Sequence, residues 1–589
     1  MTFSQFSSYI QKIEETASRL TMTEILADLF SHLDVHECAH AAYLLQGNIS
    51  PKYRPQQFNF AEKLVIRSLA ELFSIQPAQL TQQYKQEGDL GTTIQGLKQK
   101  QKSINKSKHT IEVVFAKLVA IAQYEGAGSQ ERKMHGFAQL ISEVDPLSAR
   151  YLVRIPVGAL RLGFSDMTML DALSWMMTGD KSLRRKLQKA YHVFPDLGYI
   201  GTVLKKQGLS AVEKIKPEVF TPIIMMRAER ITSAQDIIDK IGTCIIEPKY
   251  DGFRLQVHKK GDKVVLFTRG LEVATYMYPD IVKAVQDEVS ADEIIFEGEA
   301  IGYNPETSSF LPFQLTVQRK RKHGISEKAK EIPLKLYSFD LLYLDGTNHI
   351  HSPFVERKKL LRENIDNHND ATKDSIIPAE ETVVEEAKRI EALFDDAVAR
   401  GLEGIMAKKM TGTYQPGTRD WNWIKYKKSY SSKVTDTIDC VVMGYDFGKG
   451  KRTAFGIGAF LVGVFDPKND QYFTIAKIGT GLKDEEWHKL LSLIKPLKVA
   501  HIPSSFIVDD LMACDVWVTP KIVVEIRADE ITRSPVHTAG RVMQKTKTGT
   551  AMEVKEPGYA LRFPRLEHFR LDKSPQEATS IKEIKTISL

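Results

Sequence analysis

No stretch of the 589-residue chain approaches the roughly 20 consecutive apolar residues that a helix needs to cross a bilayer, so no membrane span is expected. The opening residues, MTFSQFSSYIQKIEE, show no basic segment leading into an apolar core. No secretory signal is therefore expected, and the protein is read as cytoplasmic. Cysteine is scarce and scattered: Cys38, Cys244, Cys440 and Cys514 form no CxxC pair, which argues against a disulfide framework or an all-cysteine zinc site. The run His36-Glu-Cys38-Ala-His40 spaces its ligands at i, i+2 and i+4. In a helix Cys38 would point away from the two histidines, so a partly buried helix is the simpler reading. There is no internal repeat and no low-complexity tract. A strong charge of one sign is missing too. The net formal charge is only +7, which suits a polyanionic partner and equally suits a solvated surface.

What is present is 42% hydrophobic and 26% charged residues, in a chain long enough for three or four cores. Apolar residues at three- and four-residue spacing in Ile25–Phe30 and Ala61–Phe73 make the first two hundred residues helical. The basic stretch Lys98 to His109 reads as an exposed loop. Pro217 and Pro222 punctuate the end of this all-α region, placing the first domain at 1–216. Strand signals follow at Thr243–Ile246, Lys263–Thr268, Ile294–Phe296 and Leu334–Leu344, with a helix over Glu380–Arg400. They give an α/β domain of mixed sheets over 217–428. A polar run at Lys428–Thr435 precedes short β runs with glycine turns, the pattern of a small barrel over 429–589.

The sharpest feature is Glu247-Pro-Lys249-Tyr-Asp251-Gly252-Phe-Arg254, where a short apolar strand ends and a longer one begins. A lysine amine ordinarily titrates near 10.4, so a nucleophilic lysine needs cationic neighbours, desolvation or a metal. Arg254 is a candidate neighbour, and Gly252 leaves room for a ligand. Further pieces follow in order: Thr268-Arg269-Gly270, Phe296-Glu297-Gly298-Glu299-Ala300, Phe339-Asp340-Leu341, Glu403-Gly404-Ile405-Met406-Ala407-Lys408 and Trp421-Asn-Trp423-Ile-Lys425-Tyr-Lys427. Lys425 and Lys427 fall on one face of a strand because side chains alternate with period two. Arg570-Leu-Asp572-Lys573 closes the series.

In this order the motifs resemble the covalent nucleotidyltransferases: DNA ligases, RNA ligases and mRNA capping enzymes. The stretch Leu152–Gly163, the helix over Met169–Met177 and Leu561-Arg562-Phe563-Pro564-Arg565 are most similar to ATP-dependent DNA ligases of the archaeal and eukaryotic replicative type. The zinc finger of NAD-dependent ligases has no counterpart. RNA-joining and capping enzymes share the core but lack the helical domain. A DNA-binding scaffold with a vestigial core is the rival from another class, against which the intact lysine and carboxylates argue.

The resemblance implies three domains: helical DNA-binding, nucleotidyltransferase and OB-fold. It implies that Lys249 carries AMP taken from ATP and passes it to the 5′-phosphate of a nick in duplex DNA, which a 3′-hydroxyl then seals. Glu247 would accept from the adenine amino group, and Phe339 would stack on the base. Arg254 and Arg269 would hold ribose and phosphates, with Arg419 assisting. Glu299 and Glu403 would bind ribose or a divalent metal, Mg²⁺ or Mn²⁺. Lys425 and Lys427 would neutralise the α-phosphate, and Arg570 and Lys573 would orient the leaving pyrophosphate. Arg154, Arg161, Lys451 and Arg452 are candidate DNA contacts, although each also reads as a surface charge or a solvated turn. The protein would act as a monomer. A sliding clamp is a further candidate partner, through Gln5, Phe6 and Tyr9 near the N-terminus, although aromatic residues in such a helix also read as core.

Overall fold

The computed structural model describes residues 1–54, 56, 58–101, 109–160, 162–304, 306–307, 309–321, 323–366, 374–427, 437–448, 455–545 and 552–588. The described chain divides into two compact units, Met1–Ser74 with Ile94–Tyr430, and Ile75–Thr93 with Ser431–Leu589.

The helical part of the first unit begins at Phe3–Glu14 and runs to Leu209–Val212. Its helices start where short polar side chains can take up free amide donors. Asp34 and Glu37 form a capping box, and Asp145 caps a helix that opens with Pro146. The periodic apolar residues are buried as expected, among them Leu26, Leu29, Phe30, Val65, Ile66 and Leu69. Cys38 is fully buried, and His40 stacks on Phe115 with ring centroids 4.0 Å apart, so this run is helix packing. The basic stretch is not all loop. Lys98 lies in the helix Leu90–Gln99, and its buried amine donates to the Ser142 carbonyl at 3.0 Å. Residues 102–108 lie outside the described residues. A long aliphatic stem let a helix bury a residue that reads as loop.

Two sheets form the rest of the unit. One has five strands in the order Arg227–Arg230, Arg419–Lys427, Gly404–Lys409, Cys244–Lys249, Thr382–Val384. The other is built on Lys263–Thr268, Phe253–Lys260, Glu293–Asn304 and Leu334–Leu344, neighbours in that order and antiparallel. Glu293–Asn304 greatly extends the short strand expected at Ile294–Phe296. The helix expected from Glu380 starts only at Ala387, because Thr382–Val384 pairs as an edge strand with Cys244–Ile246. β-Branched residues there suit the pleated edge.

The second unit is strand-rich. Ile438–Asp446, Ala459–Asp466 and Gln471–Ile478 form an antiparallel meander, and Val523–Arg527 bridges Ile438–Asp446 to Arg565–Phe569. Helix Asp484–Ile494 buries Trp487, Leu490 and Ile494 in the same core as Val462, Ile475 and Val524.

Candidate active site

The sequence around Lys249 is the crossover between the two sheets. Cys244–Lys249 belongs to the five-stranded sheet, and after three intervening residues Phe253–Lys260 enters the other. Tyr250 anchors the crossing by stacking on Tyr337, with centroids 4.2 Å apart. Gly252 makes it possible: a Cβ there would lie 2.0 Å from the Ala300 carbonyl oxygen, inside any van der Waals contact.

Register then gathers the charges. Gly404 stands opposite Lys249 on one side and Lys427 on the other. The acid just before it, Glu403, receives both ammoniums, Lys249 Nζ at 2.5 Å and Lys427 Nζ at 2.6 Å. Gly404 has φ +141°, and a Cβ would fall 2.2 Å from the Tyr426 carbonyl oxygen, so the strands could not close on this triad with another residue. Burial works against the Glu403 carboxylate, but the two lysines outweigh it and hold it well below the usual carboxylate range. Lys425 is pushed down by burial, then by Lys427, Arg419 and Lys249; Arg269 by burial, then by Arg254 and Arg227. Among the described residues Lys249, Lys425, Lys427, Arg227, Arg254, Arg269 and Arg419 outnumber Asp251, Glu297, Glu299 and Glu403 here, a balance that favours a polyanion such as a triphosphate.

Glu299 faces this cluster from the other sheet, opposite Arg254 in register. Burial pushes its carboxyl up to about 7, and Lys249 and Arg254 only partly offset this. Among the described residues no hydrogen bond or ion pair takes it up. Among the described residues, too, no three His, Cys, Asp or Glu side chains gather at metal-ligand spacing. Mg²⁺ commonly uses only one or two carboxylates with phosphate and water, so Glu299 and Glu403 fit it once a phosphate is present.

Arg254 and Glu247 are held differently. Arg254 donates to Glu297 at 2.5 Å and to the Met226 carbonyl at 2.8 Å, and lies 5.3 Å from the Phe339 ring centre and 5.1 Å from that of Trp423. Its Nε is buried without a protein partner. Phe339 is half-buried and packs edge-on to Trp423 at 5.9 Å. The buried Glu247 receives Lys358 on one oxygen and Lys408 on the other, each at 2.6 Å. Burial, opposed by Glu247 and reinforced by Lys358, brings the Lys408 amine down to about 8.

Comparison with known proteins bears on what this cleft is. Residues 2–174 match the DNA ligase N terminus, 225–427 the ATP dependent DNA ligase domain and 453–573 the ATP dependent DNA ligase C terminal region. The chain is 44% identical over 586 residues to a probable DNA ligase of Dictyoglomus turgidum, covering 99% of this chain and 97% of that protein. It is 38% identical over 598 residues to DNA ligase 2 of Thermofilum pendens, covering 99% and 96%. The chain belongs to the ATP-dependent DNA ligase family. A solved chain named Pmar-Lig_Pre, 17% identical, shares the fold with a TM-score of 0.53 over 96% of this chain and 99% of that one.

This ligase therefore uses ATP, and nick sealing through an adenylate is the chemistry of its family. The other expected site residues fall less simply. Arg154, a candidate DNA contact in the sequence reading, is 7% exposed, donates to Glu14 at 2.8 Å and lies 5.4 Å from the Tyr151 ring, so it braces two helices. Arg161, Lys451 and Arg452 lie outside the described residues. In the second unit Lys573 donates to Asp439 at 2.5 Å, and Arg570 pairs with Asp572 at 2.8 Å and approaches Asp439 at 3.5 Å. Phe6 is fully buried, and the Tyr9 hydroxyl donates to Asp28 at 2.8 Å.

Sequence reasoning missed several members of the site. Arg227 pairs in register with Arg419. The Tyr414 hydroxyl donates to Glu297 at 3.0 Å and accepts from the Met226 amide at 2.8 Å. Gln256 joins Glu297 to both backbone groups of Ile223, and His258 accepts from the Phe220 amide at 3.0 Å. Arg254, Gln256 and His258 alternate on one strand, so the period of two was a signal that could have found this row.

Proposed function

We propose that Lys249 is the residue adenylated by ATP in this DNA ligase, and that the surrounding side chains divide the work as their positions suggest. The observation that carries this is the triad Lys249–Glu403–Lys427 at the mouth of the sheet crossover. The Lys249 ammonium gives up one proton to become the attacking amine; its nitrogen forms a bond to the α-phosphorus, the bond from that phosphorus to the bridging oxygen breaks, and pyrophosphate leaves with its electron pair, while Nζ loses a second proton, both protons passing to solvent or to the leaving pyrophosphate. The P–N adduct then transfers AMP to a 5′-phosphate, and the 3′-hydroxyl expels AMP as the phosphodiester forms.

Lys425, Lys427 and Arg269 would balance the charge on the α-phosphate. Glu299 and Glu403 would hold a divalent cation, which when bound supplies Lewis-acid neutralisation of the phosphate oxygens. Phe339 offers the base a face, and Glu247 offers its amino group an acceptor. The free Nε of Arg254 suits a ribose hydroxyl. Arg570 and Lys573 would be exchanged from Asp439 to the pyrophosphate. Arg161, Lys451 and Arg452 are candidate phosphate contacts on nicked duplex DNA, with affinity that falls steeply with salt. We read the enzyme as a cytoplasmic monomer. The burial of Phe6 disfavours the N-terminal helix as a clamp-binding segment.

Incubation with α-labelled ATP and Mg²⁺, followed by denaturation, should leave label on the wild-type chain and none on Lys249→Ala. Label on the alanine variant would sink the assignment.

A further inference from the structure

Glu247 has both oxygens claimed by buried cations. Lys358 Nζ reaches Oε1 and Lys408 Nζ reaches Oε2, each at 2.6 Å, and both amines are 1% exposed. The two lysines come from different elements. Lys408 lies on the strand Gly404–Lys409, where Met406 stands opposite Glu247. Lys358 lies on the helix Phe354–Glu363, outside the motifs that mark this chemistry. That helix is itself pinned. The fully buried Arg357 gives two hydrogen bonds to Asp340, at 2.7 and 2.9 Å, and two more to the carbonyls of Ser352 and Gly412. Lys358 therefore projects from a rigid base. Its other acidic neighbour, Glu381, is farther off at 3.9 Å.

A carboxylate has about four acceptor sites, so two lysine donors leave capacity for a third donor. With a lysine donor on each oxygen it presents acceptors to a third donor, and it cannot rotate without losing one of these bonds. Such a group rewards an exocyclic amine and repels a carbonyl. We propose that Lys358, together with Lys408, is a positioning residue for nucleotide selection: it fixes Glu247 as the acceptor that distinguishes adenine from purines lacking the 6-amino group. The proposal rests on the reading of Glu247 as the base-contacting carboxylate. Neither lysine touches the nucleotide in this scheme.

The test uses the full-length enzyme and measures Lys249 labelling with ATP and with purine riboside triphosphate, which lacks the 6-amino group. The wild type should prefer ATP by at least ~10-fold, the scale of one hydrogen bond to a charged group. In Lys358→Met the preference should collapse toward parity, chiefly through a higher KM for ATP, with the analogue's kcat/KM changed less than about threefold. In a Glu247→Gln background the same substitution should cause no further loss of preference. Lys408→Gln addresses the other oxygen and carries the same expectation, so the test does not depend on one variant folding. An equal fall on both nucleotides, or an unchanged preference, would overturn the positioning role while leaving Glu247 as the base reader. A wild type that does not discriminate would overturn the Glu247 reading itself.

Discussion

Two groups of charges meet near Lys249, one from each sheet, and they are held in opposite ways. At the ends of Cys244–Lys249 and Arg419–Lys427 in the five-stranded sheet, the lysines are paired with a group that substrate can replace, whereas Glu247 and Lys408 of the same sheet are buried. Lys249 and Lys427 share Glu403, and all three side chains retain access to solvent. On strand Phe253–Lys260 of the other sheet the polar row is locked into the fold. Arg254, Gln256 and His258 line one face and bind, directly or through Glu297, to the backbone at Phe220, Ile223 and Met226. The first arrangement holds reacting groups ready for exchange; the second fixes the wall against which they work. If so, substitutions on the locked sheet should cost stability, and those on the exchangeable sheet should cost rate.

Arg254 gives the largest expected effect. Arg254→Met leaves Glu297, which is fully buried, without its guanidinium. Removing one partner of a buried pair costs about 3–5 kcal/mol, more than the pair itself contributes. Thermal unfolding should shift downward by several degrees, and labelling of Lys249 should fall as well. A variant with wild-type stability would show that this face is not the rigid wall described.

Glu403→Gln should behave in the reverse manner. The amide keeps the shape but loses the charge that both lysines share and that a divalent cation would need. Labelling should fall by about 100-fold, equivalent to about 2.7 kcal/mol of barrier, while the unfolding temperature moves little because the triad is partly exposed. A fall in stability as large as that of Arg254→Met would erase the distinction between the sheets.

The same contrast explains what could be read from the sequence. The strand positions of Lys249, Lys425 and Lys427 were legible because local strings and a period of two describe strand ends that carry charges. The strands at Lys263–Thr268 and Leu334–Leu344 were legible for the same local reason. Lys358 was not, because its partner Glu247 lies 111 residues away and nothing near Lys358 announces a buried acid. The pairing of Arg154 was hidden on the same ground: its partner Glu14 is 140 residues distant, and an arginine at a helix end looks exposed until that partner is known. Long-range pairing of buried charges is a property of the packed chain, and local periodicity carries no trace of it.

The smallest effect belongs to His258, and it probes the locked face by pH. Burial pushes this imidazole down to about 3, and its Nδ1 accepts from the Phe220 amide, so the folded state holds the neutral ring. In the unfolded chain it titrates near 6.5. Between these values the unfolded state binds the extra proton, so stability is full above about pH 6.5 and declines as pH falls toward 3. At pH 5 the loss from this one group is about 2 kcal/mol. His258→Gln removes the titration, although it costs a roughly constant increment at every pH through the altered hydrogen bond. The measurement is the difference in unfolding free energy between wild type and variant at pH 8 and pH 5. That difference should shrink by about 2 kcal/mol on acidification, because only the wild type has an imidazole to protonate. A difference that stays constant would mean that the ring is already charged or already exposed, and the row Arg254–Gln256–His258 would then be a wetted surface and not a fixed wall.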